Sequence, residues 1–354
     1  MTGRERVRLA LDRKPTDRVP IAMICSGLNP PVHRAFAEYL RGKRGIGLEE
    51  YLAPLIDVRE IHPRYIGPSL APGEDIWGVR RKPVSYGAGS YDEIEYYPLA
   101  SAETPSDLEK HRWPSPDWFD YASMPAVIAQ AQSGGEKALM VSNGNIFESS
   151  WYMRGFERMF EDLMLNPELA RAIMGKVADF HVEYFRRVLS ASAGAVDLAF
   201  TADDIGGQTG LLVSLKTWEE FIKPHHVRLN RTIHEYGVKV VYHSDGDVME
   251  AVDGLVDMGI DVLQALQFSA GKMDPATLKR KYHDRLAFEG GVSVQTTLPF
   301  GSVGDVRAEV ENLITVLGEN GGYILGPSHM IQAGTPPENI AAMFDTAAAF
   351  GVRA

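Results

Sequence analysis

Two histidines and an aspartate have the spacing that one metal ion requires. His243 and Asp245 are two residues apart, and at an extended strand end such side chains point the same way. His329 follows a later apolar run and can supply a third ligand from another strand. Two imidazoles and a carboxylate with an open position are typical of catalytic zinc and non-haem iron. In a simpler interpretation, each histidine only hydrogen-bonds a neighbouring acid.

Further polar residues follow other apolar runs. Asp203 and Asp204 come shortly after the run 196–200, and Glu289 comes directly after the run 286–288. We predict that these three acids take part in catalysis by accepting or donating protons, with Glu289 alternatively a fourth ligand of the metal. The residues predicted to bind and orient a substrate are Glu148, Asn143, Gln208 and Gln267.

The elements that position these residues alternate regularly after residue 135. Predicted strands lie at 138–141, 196–200, 238–242, 260–266, 286–288 and 323–325. Amphipathic helices are predicted at 167–189, 215–236, 248–258, 275–282, 303–317 and 336–350. Repeated strand-helix units indicate a parallel sheet between helices. Together with an early strand at 19–23 they favour a (β/α)8 TIM barrel, whose active site lies at the carboxyl ends of the strands. An open doubly wound sheet is the rival, but no Gly-x-Gly-x-x-Gly follows the first strand.

The first third of the chain is less regular. Thr2 can cap a helix to about residue 13 with Arg6 exposed, a second helix is predicted at 32–41, and the run 76–99 is typical of a hairpin. We interpret residues 1–135 as an N-terminal elaboration and 136–354 as regular β-α units of a single domain spanning 1–354.

Composition limits the function classes. The 354 residues are 45% hydrophobic and 23% charged, with 36 Lys and Arg against 47 Asp and Glu, a net charge of −11. This composition predicts a soluble globular protein that binds neither nucleic acid nor an anionic membrane. With no apolar stretch of ~18 residues, a cytoplasmic enzyme or binding protein is expected. One cysteine, Cys25, excludes disulfide frameworks and iron–sulfur clusters, so a metal must be held by N and O atoms.

Several short motifs are distributed over nearly the whole chain. They are Arg4-Glu5-Arg6-Val7, Asp17-Arg18-Val19-Pro20, Phe147-Glu148, Arg154-Gly155-Phe156-Glu157, Asp203-Asp204-Ile205-Gly206-Gly207-Gln208, His243-Ser244-Asp245-Gly246-Asp247, Asp274-Pro275-Ala276-Thr277-Leu278-Lys279, Phe288-Glu289-Gly290-Gly291-Val292 and Thr335-Pro336-Pro337-Glu338-Asn339-Ile340. In these motifs the chain resembles the uroporphyrinogen decarboxylase superfamily, a (β/α)8-barrel group. That group contains the haem-pathway decarboxylase and cobalamin-dependent methyltransferases.

The resemblance separates two branches. Decarboxylases of the haem pathway carry Met-Arg-Gln-Ala-Gly-Arg-Tyr after the first strand, whose arginines hold the carboxylates of the tetrapyrrole. This chain has Met23-Ile24-Cys25-Ser26-Gly27-Leu28-Asn29 there, without an arginine. A strongly acidic substrate needs such a basic pocket in a chain of net charge −11. Haem-pathway activity is therefore not expected.

The methyltransferase branch holds zinc with a His-x-Cys pair and a later Cys. By this resemblance His243, Asp245 and His329 would hold Zn²⁺, with both thiolates replaced. Such a site is a stronger Lewis acid toward oxygen. We therefore expect an O-demethylase that takes the methyl group of a small donor, an aryl methyl ether, and passes it to the Co(I) corrinoid (cobalamin) of a separate partner protein. Glu289 or Asp204 would supply the proton.

Two alternatives remain open. One is a decarboxylase-like lyase without metal, in which Asp203 or Asp204 stabilises a protonated ring. The other is a non-catalytic barrel that binds a small molecule. The resemblance is also compatible with a homodimer.

Overall fold

The computed structural model describes residues 1–24, 27–87 and 89–350. The strands in this part of the chain are β1 (Val58–Glu60), β2 (Arg64–Tyr65), β3 (Arg80–Ser85), β4 (Ser90–Tyr96), β5 (Phe119–Asp120), β6 (Ala138–Asn145), β7 (Leu198–Ala202), β8 (Lys239–His243), β9 (Val262–Ala265), β10 (Ala287–Val292) and β11 (Tyr323–Pro327). Seven of them form one sheet in the order β1-β6-β7-β8-β9-β10-β11. Every neighbouring pair in this sheet is parallel.

Ile21 closes this sheet into a ring. It forms parallel bridges to Ile56, just before β1, and to Leu325 in β11. The Ile21 carbonyl accepts a hydrogen bond from Asp57 N (2.8 Å), while Ala22 N donates to the Leu325 carbonyl (2.9 Å). Ile21 therefore stands in the place of an eighth strand, and the (β/α)8 barrel predicted from the sequence is confirmed.

The first two members of the ring differ from the sequence-based prediction. The strand predicted at 19–23 is reduced to the bridge at Ile21. The next strand, β1, lies in the region interpreted as irregular, because its three residues include a single buried apolar side chain, Val58. Residues 1–135 thus contribute to the barrel itself as well as to loops around it.

Helices follow the barrel strands on the outside. They are α1 (Gly3–Leu11), α2 (Pro30–Arg44), α3 (Leu48–Leu52), α4 (Met124–Gln132), α5 (Phe147–Arg154), α6 (Phe156–Leu165), α7 (Pro167–Ala191), α8 (Leu215–Phe221), α9 (Lys223–His234), α10 (Val252–Asp257), α11 (Pro275–Tyr282), α12 (Thr297–Phe300), α13 (Val303–Leu317) and α14 (Pro337–Ala349). The predicted helices 275–282 and 303–317 are confirmed. The helix predicted at 215–236 is wrong as one element: it is broken into α8 and α9 ahead of Pro224, because proline has no N–H to continue the helix. None of the helices in the described residues is long and apolar enough to span a membrane.

Two apolar cores hold the barrel together. The larger one lies between the sheet and the outer helices. The smaller one fills the ring, where Phe200, Met140 and Ile324 from three strands meet Val7 and Leu11 of α1. The helix α1 therefore seals the amino-terminal end of the barrel, opposite the rim where the predicted site residues lie.

The hairpin predicted at 76–99 is confirmed as β3 and β4, which pair antiparallel. Next to its tip, the Tyr86 hydroxyl lies 3.2 Å from both Asn29 Nδ2 and Gln332 Oε1. Gln332 is three residues beyond His329. The hairpin thus reaches across the carboxyl-terminal rim of the barrel.

Buried ion pairs stabilise the amino-terminal end of the barrel, which α1 closes. The carboxylate of Asp57 is fully buried and accepts hydrogen bonds from Arg6 Nη1 (2.7 Å), Arg18 Nη1 (2.8 Å) and the backbone N–H of Ile21 (2.9 Å). Arg6, predicted to be exposed, is buried and also pairs with Asp17. The predicted exposure of Arg6 was wrong because a helical pattern identifies the inward face of the helix but not the acidic partners that allow an arginine to be buried there. The segments 4–7 and 17–20 are therefore stabilising motifs of the barrel's closed end.

Asp57→Ala should lower the free energy of unfolding by about 3–5 kcal/mol, because it leaves two guanidinium groups at the closed end without their shared carboxylate. Chemical denaturation measures this loss. The matched control is Asp12→Ala, whose carboxylate pairs with Lys14 at the surface and should change stability by about 0–1 kcal/mol. Equal effects of the two substitutions would contradict a central role for Asp57.

Candidate metal centre and the acids around it

His243, Asp245 and His329 converge at the carboxyl-terminal rim of the barrel. His243 is the last residue of β8, and His329 lies two residues beyond the end of β11. His243 Nε2 is 3.9 Å from Asp245 Oδ1, and His329 Nε2 is 3.9 Å from Asp245 Oδ2. One donor atom from each residue lies within 4.8 Å of the other two. The structure therefore brings the three predicted ligands together, and metal binding by them stays a prediction.

The cluster is buried on one side and open on the other. His243 is buried, whereas the side chains of Asp245 and His329 are 33% and 30% exposed. Burial raises the pKa of the Asp245 carboxyl, and the nearby charge of Asp204 raises it further, against the opposing effect of the two histidines. A ligand could reach the three donor atoms from the exposed side.

Gln264 orients the ring of His243. The Gln264 residue of β9 pairs in register with His243. Its Oε1 accepts a hydrogen bond from His243 Nδ1 (2.5 Å), and its Nε2 donates to the carbonyl of Ile24 (3.2 Å). With the Nδ1 proton used in this hydrogen bond, the neutral ring would present the lone pair of Nε2 toward Asp245. A partner that fixes the ring in this way is typical of histidines that bind metals.

Two glycines allow the loop that carries Asp245 to pack against the loop after β7. Gly246 has φ +83°, and a Cβ there would lie 2.4 Å from the backbone carbon of Gly206. Asp247 N donates to the carbonyl of Gly207 (2.8 Å), and Asp245 N donates to Asp204 Oδ1 (2.7 Å). The two loops can pack this closely only because Gly206 and Gly246 have no side chains. This packing explains why glycines occur in the motifs 203–208 and 243–247.

Gln267 and Gln208, predicted to bind substrate, lie at the edge of these loops. Gln267 is buried, and its Oε1 accepts a hydrogen bond from Gly246 N (2.9 Å). Its Nε2 donates to Gln208 Oε1 (3.2 Å) and to Gln295 Oε1 (2.8 Å). The structure thus uses Gln267 to hold the Asp245 loop, and Gln208 is exposed beside it.

Asp203, predicted to be catalytic, is fully buried behind the rim. Its carboxylate accepts hydrogen bonds from the backbone N–H groups of Phe147 (2.9 Å) and Glu148 (2.8 Å), at the start of α5. His226 Nε2 donates to the same carboxylate at 2.5 Å. A carboxylate at a helix N-terminus stabilises the unpaired N–H groups there. The geometry therefore gives Asp203 the role of holding Glu148 in position.

Asp204, the adjacent acid, faces the cluster instead. Its Oδ1 is 3.6 Å from His243 Nε2, and its side chain is 32% exposed. Among the predicted acids it combines the approach to His243 with access from the open side. It is therefore the carboxyl group best placed to exchange a proton with a ligand at the cluster.

Glu148 is a buried acid next to Asp204. Its Oε2 accepts a hydrogen bond from Asn145 Nδ2 (2.6 Å) and its Oε1 accepts one from the Tyr152 hydroxyl (2.8 Å). Burial, reinforced by the charges of Asp204 and Asp203, raises the pKa of Glu148 to about 8. At neutral pH a large fraction of this side chain carries a proton, so it adds little negative charge to the site.

Glu289 lies inside the barrel behind Gln264. It pairs in register with Gln264 on the neighbouring strand and is fully buried. Burial raises its pKa well above the usual range, and Gln264 and the Ile24 backbone offset this only in part. Gly326 leaves space for it, since a Cβ there would lie 2.6 Å from Glu289 Oε1. Within the described residues its carboxyl is not part of the converging ligand group.

Asn143 lies elsewhere, in a cavity on the β6 side of the rim. This aromatic cavity, as we call it, has a volume of about 570 Å³ and is lined by aromatic side chains of the N-terminal elaboration and of α7, together with Asn143, Asn145 and Tyr152. Asn145 and Tyr152 are also the hydrogen-bonding partners of Glu148. Glu148 therefore adjoins both the cavity and Asp204.

Three residues gained a role that the sequence had not assigned to them. They are Gln264, His226 and Tyr152, whose partners lie on other strands or one helical turn away. Among these three, only Gln264 could have been identified from the sequence, because it is an amide within an otherwise apolar predicted strand. Cys25 lies outside the described residues.

Comparisons with known proteins agree with this architecture. The family model for uroporphyrinogen decarboxylase (URO-D) matches residues 83–350. The uroporphyrinogen decarboxylase of Anaeromyxobacter dehalogenans is 26% identical over 198 residues, which is 56% of this chain and 53% of the relative. The methylated-thiol–coenzyme M methyltransferase of Methanosarcina mazei is 26% identical over 196 residues, 55% of this chain and 49% of the relative. The chain thus spans about half the length of these two relatives. Homologues of the chain are enzymes of both kinds, decarboxylase and methyltransferase.

A solved structure has the same fold. The methyltransferase from Methanosarcina mazei superimposes with a TM-score of 0.68 over 98% of both chains, at 18% sequence identity. This likeness confirms the barrel fold.

Replacing Gln264 with leucine should weaken zinc binding by about 10- to 100-fold, because His243 loses the acceptor that fixes its ring. Competition against a chromogenic chelator measures the affinity. Gln130→Leu, on the exposed face of α4, is the control and should bind zinc like the unaltered chain. Undiminished zinc affinity of Gln264→Leu would rule out this orienting role.

The contribution of Glu148 to the stability of the fold should decrease as the pH rises. With a pKa of about 8 in the fold and about 4.5 when unfolded, Glu148 retains a proton that the unfolded chain releases. Its contribution is complete below pH 4.5 and lost by pH 8, with a slope on the order of 1 kcal/mol per pH unit. Denaturation at pH 5 and pH 8 measures how much the free energy of unfolding changes between the two, and this change should be more positive for Glu148→Gln than for the unaltered chain. The exposed Glu157→Gln should change as the unaltered chain does, and identical changes in all three proteins would contradict the assignment.

Proposed function

We propose that this chain, which belongs to the uroporphyrinogen decarboxylase family, is a corrinoid-linked methyltransferase that demethylates a small methyl donor. One of the relatives that it resembles is a methyltransferase. The donor we propose is an aryl methyl ether, and the acceptor is the corrinoid of a separate protein. The observation that carries the proposal is the convergence of His243, Asp245 and His329 at the open rim.

The donor set fits zinc. Ligands at about 2.0–2.1 Å around a tetrahedral zinc lie roughly 3.3 Å apart, whereas one donor atom from each of the three residues here lies within 4.8 Å of the other two. The side chains of Asp245 and His329 are about one-third exposed, so they can turn to bring the donor atoms closer. Three protein ligands leave a fourth position for substrate, as in catalytic zinc sites. Zinc bound here would act as a Lewis acid that makes the ether oxygen a better leaving group.

The chain's own residues prepare the site for this reaction. Gln264 orients the His243 ring so that Nε2 faces the cluster. Asp204 holds the loop of Asp245 by accepting a hydrogen bond from the backbone N–H of Asp245. When the O–CH₃ bond breaks, its electron pair stays on oxygen and the methyl group goes to the acceptor. We assign Asp204 as the proton donor to that oxygen, because Glu289 is enclosed within the barrel.

Electrostatics support a neutral donor. Protonation of Glu148 limits the negative charge beside Asp204. The stretch Met23–Asn29 carries no arginine for a polycarboxylate. Asp203, which a metal-free lyase would use against a protonated ring, is already engaged by His226 and two backbone N–H groups. These observations favour the methyltransferase over the lyase.

Purified protein should contain about one zinc per chain and should convert free Co(I) cobalamin to methylcobalamin when supplied with an aryl methyl ether. His243→Ala should lose both properties, because it removes the most buried ligand. Elemental analysis and the absorbance change of cobalamin measure them, and His33→Ala, on the exposed face of α2, is the control.

Three results would contradict the proposal. Activity in rigorously metal-free protein would exclude the zinc mechanism. Release of CO₂ from a carboxylated substrate without metal would favour the lyase. Binding of a donor without turnover, at any cobalamin supply, would indicate a non-catalytic barrel.

A further inference from the structure

Three glutamines meet at the rim beside the loop of Asp245. Gln267 is buried, and its Nε2 donates hydrogen bonds to Gln208 Oε1 (3.2 Å) and to Gln295 Oε1 (2.8 Å). The Ser269 hydroxyl also donates to Gln295 Oε1, at 2.6 Å. Gln208, Ser269 and Gln295 are exposed, and we call these three residues the amide patch. The loops after β7, β9 and β10 therefore contribute to one polar surface.

A backbone N–H group fixes the direction of these side-chain amides. The N–H of Gly246 donates to Gln267 Oε1 (2.9 Å), so that oxygen is the acceptor and Nε2 of the same side chain is the donor. Gln208 and Gln295 must then turn their oxygens toward Gln267. In the part of the chain that the structure describes, the Nε2 groups of Gln208 and Gln295 have no acceptor. The amide patch thus offers N–H donors whose positions are set by a buried contact.

Acidic side chains outnumber basic ones around the amide patch. The three loops that carry it contain Asp203, Asp204 and Asp274 but one basic residue, Lys272. Asp245, on the loop that Gly246 belongs to, is one-third exposed. A carboxylate ligand would therefore meet more negative than positive charge at this part of the rim. A neutral ligand with carbonyl oxygens can accept hydrogen bonds from the patch without that repulsion.

From this geometry we infer that the amide patch binds the edge of a corrin ring, by donating hydrogen bonds to the carbonyl oxygens of the ring's neutral amide side chains. The Gly246 N–H that anchors Gln267 belongs to the loop of Asp245, so the patch adjoins a proposed metal ligand. The identification of the ligand as a corrin rests on the proposed function. The preference for neutral carbonyl acceptors follows from the patch itself.

Corrin binding can be measured on zinc-free protein, without methyl transfer. Equilibrium dialysis compares dicyanocobinamide, whose edge carries neutral amides, with dicyanocobyrinic acid, in which carboxylates replace those amides. The amide corrin should bind about 10-fold more tightly, because its carbonyl oxygens accept hydrogen bonds from the patch and its edge carries no negative charge. This comparison uses the unaltered chain and so does not depend on any variant folding.

Two variants separate hydrogen bonding from charge. The double variant Gln208→Leu with Gln295→Leu removes both N–H donors without adding charge, and it should weaken dicyanocobinamide binding about 10- to 100-fold. Gln295→Glu keeps the oxygen that accepts from Gln267 and Ser269 but loses the donor, and it should weaken binding by about 3- to 10-fold. Gln130→Leu, on the exposed face of α4, is the control and should bind like the unaltered chain. Chemical denaturation checks that each variant is folded.

Absence of dicyanocobinamide binding to the unaltered chain, or undiminished binding by the double variant, would overturn the inference. Equal or tighter binding of the carboxylate corrin would overturn it too. Corrin binding that both variants weaken, without methyl transfer from any donor, would support the inference while the proposed function fails. Methyl transfer to free cobalamin, with the same KM for cobalamin in the double variant and the unaltered chain, would show the reverse.

Discussion

The closed ring of strands depends on the buried carboxylate of Asp57. Asp57 binds Ile21 through both its backbone and its side chain, and Arg6 and Arg18 neutralise it. A charge with this degree of burial is tolerated only when it is paired. Through this contact Ile21 joins β11 to β1, and the sheet becomes a barrel. Closure in turn places the end of β8 opposite the end of β11, although two strands separate them in the sheet order. The meeting of His243 with His329 at the rim is a result of that closure.

The extent to which the sequence predicts this fold follows from the strength of each local pattern. The apolar runs of β6 to β11 and the long helices α7 and α13 were predictable, because each buries a continuous set of side chains, whereas the break between α8 and α9 was not. The strand β1 was not, since three residues with one buried side chain carry no periodicity. At the site, the i, i+2 spacing of His243 and Asp245 and the strand-end position of His329 were enough to predict that they meet. The different fates of Asp203 and Asp204 were not predictable, because they depend on α5 and His226, which are far away in sequence.

The acid-rich rim is less negative than its composition indicates. Burial raises the pKa of both Glu148 and Glu289, so these two carboxyl groups favour the protonated form where charge would be most costly. Asp203 keeps its place by accepting three hydrogen bonds. The acids that remain accessible are Asp204 and Asp245, on the open side of the cluster. A chain of net charge −11 thus presents only a few carboxyl groups to a ligand at the rim.

The sealed amino-terminal end of the barrel limits ligand access to the opposite end. With α1 and the inner apolar core filling the ring, every molecule that comes to His243 enters from the rim and leaves by it. The acceptor and the smaller methyl donor of the proposed reaction would therefore have to use the same entrance. Under the proposed methyl transfer, the small donor would have to bind first, because the larger acceptor covers this entrance once it is bound.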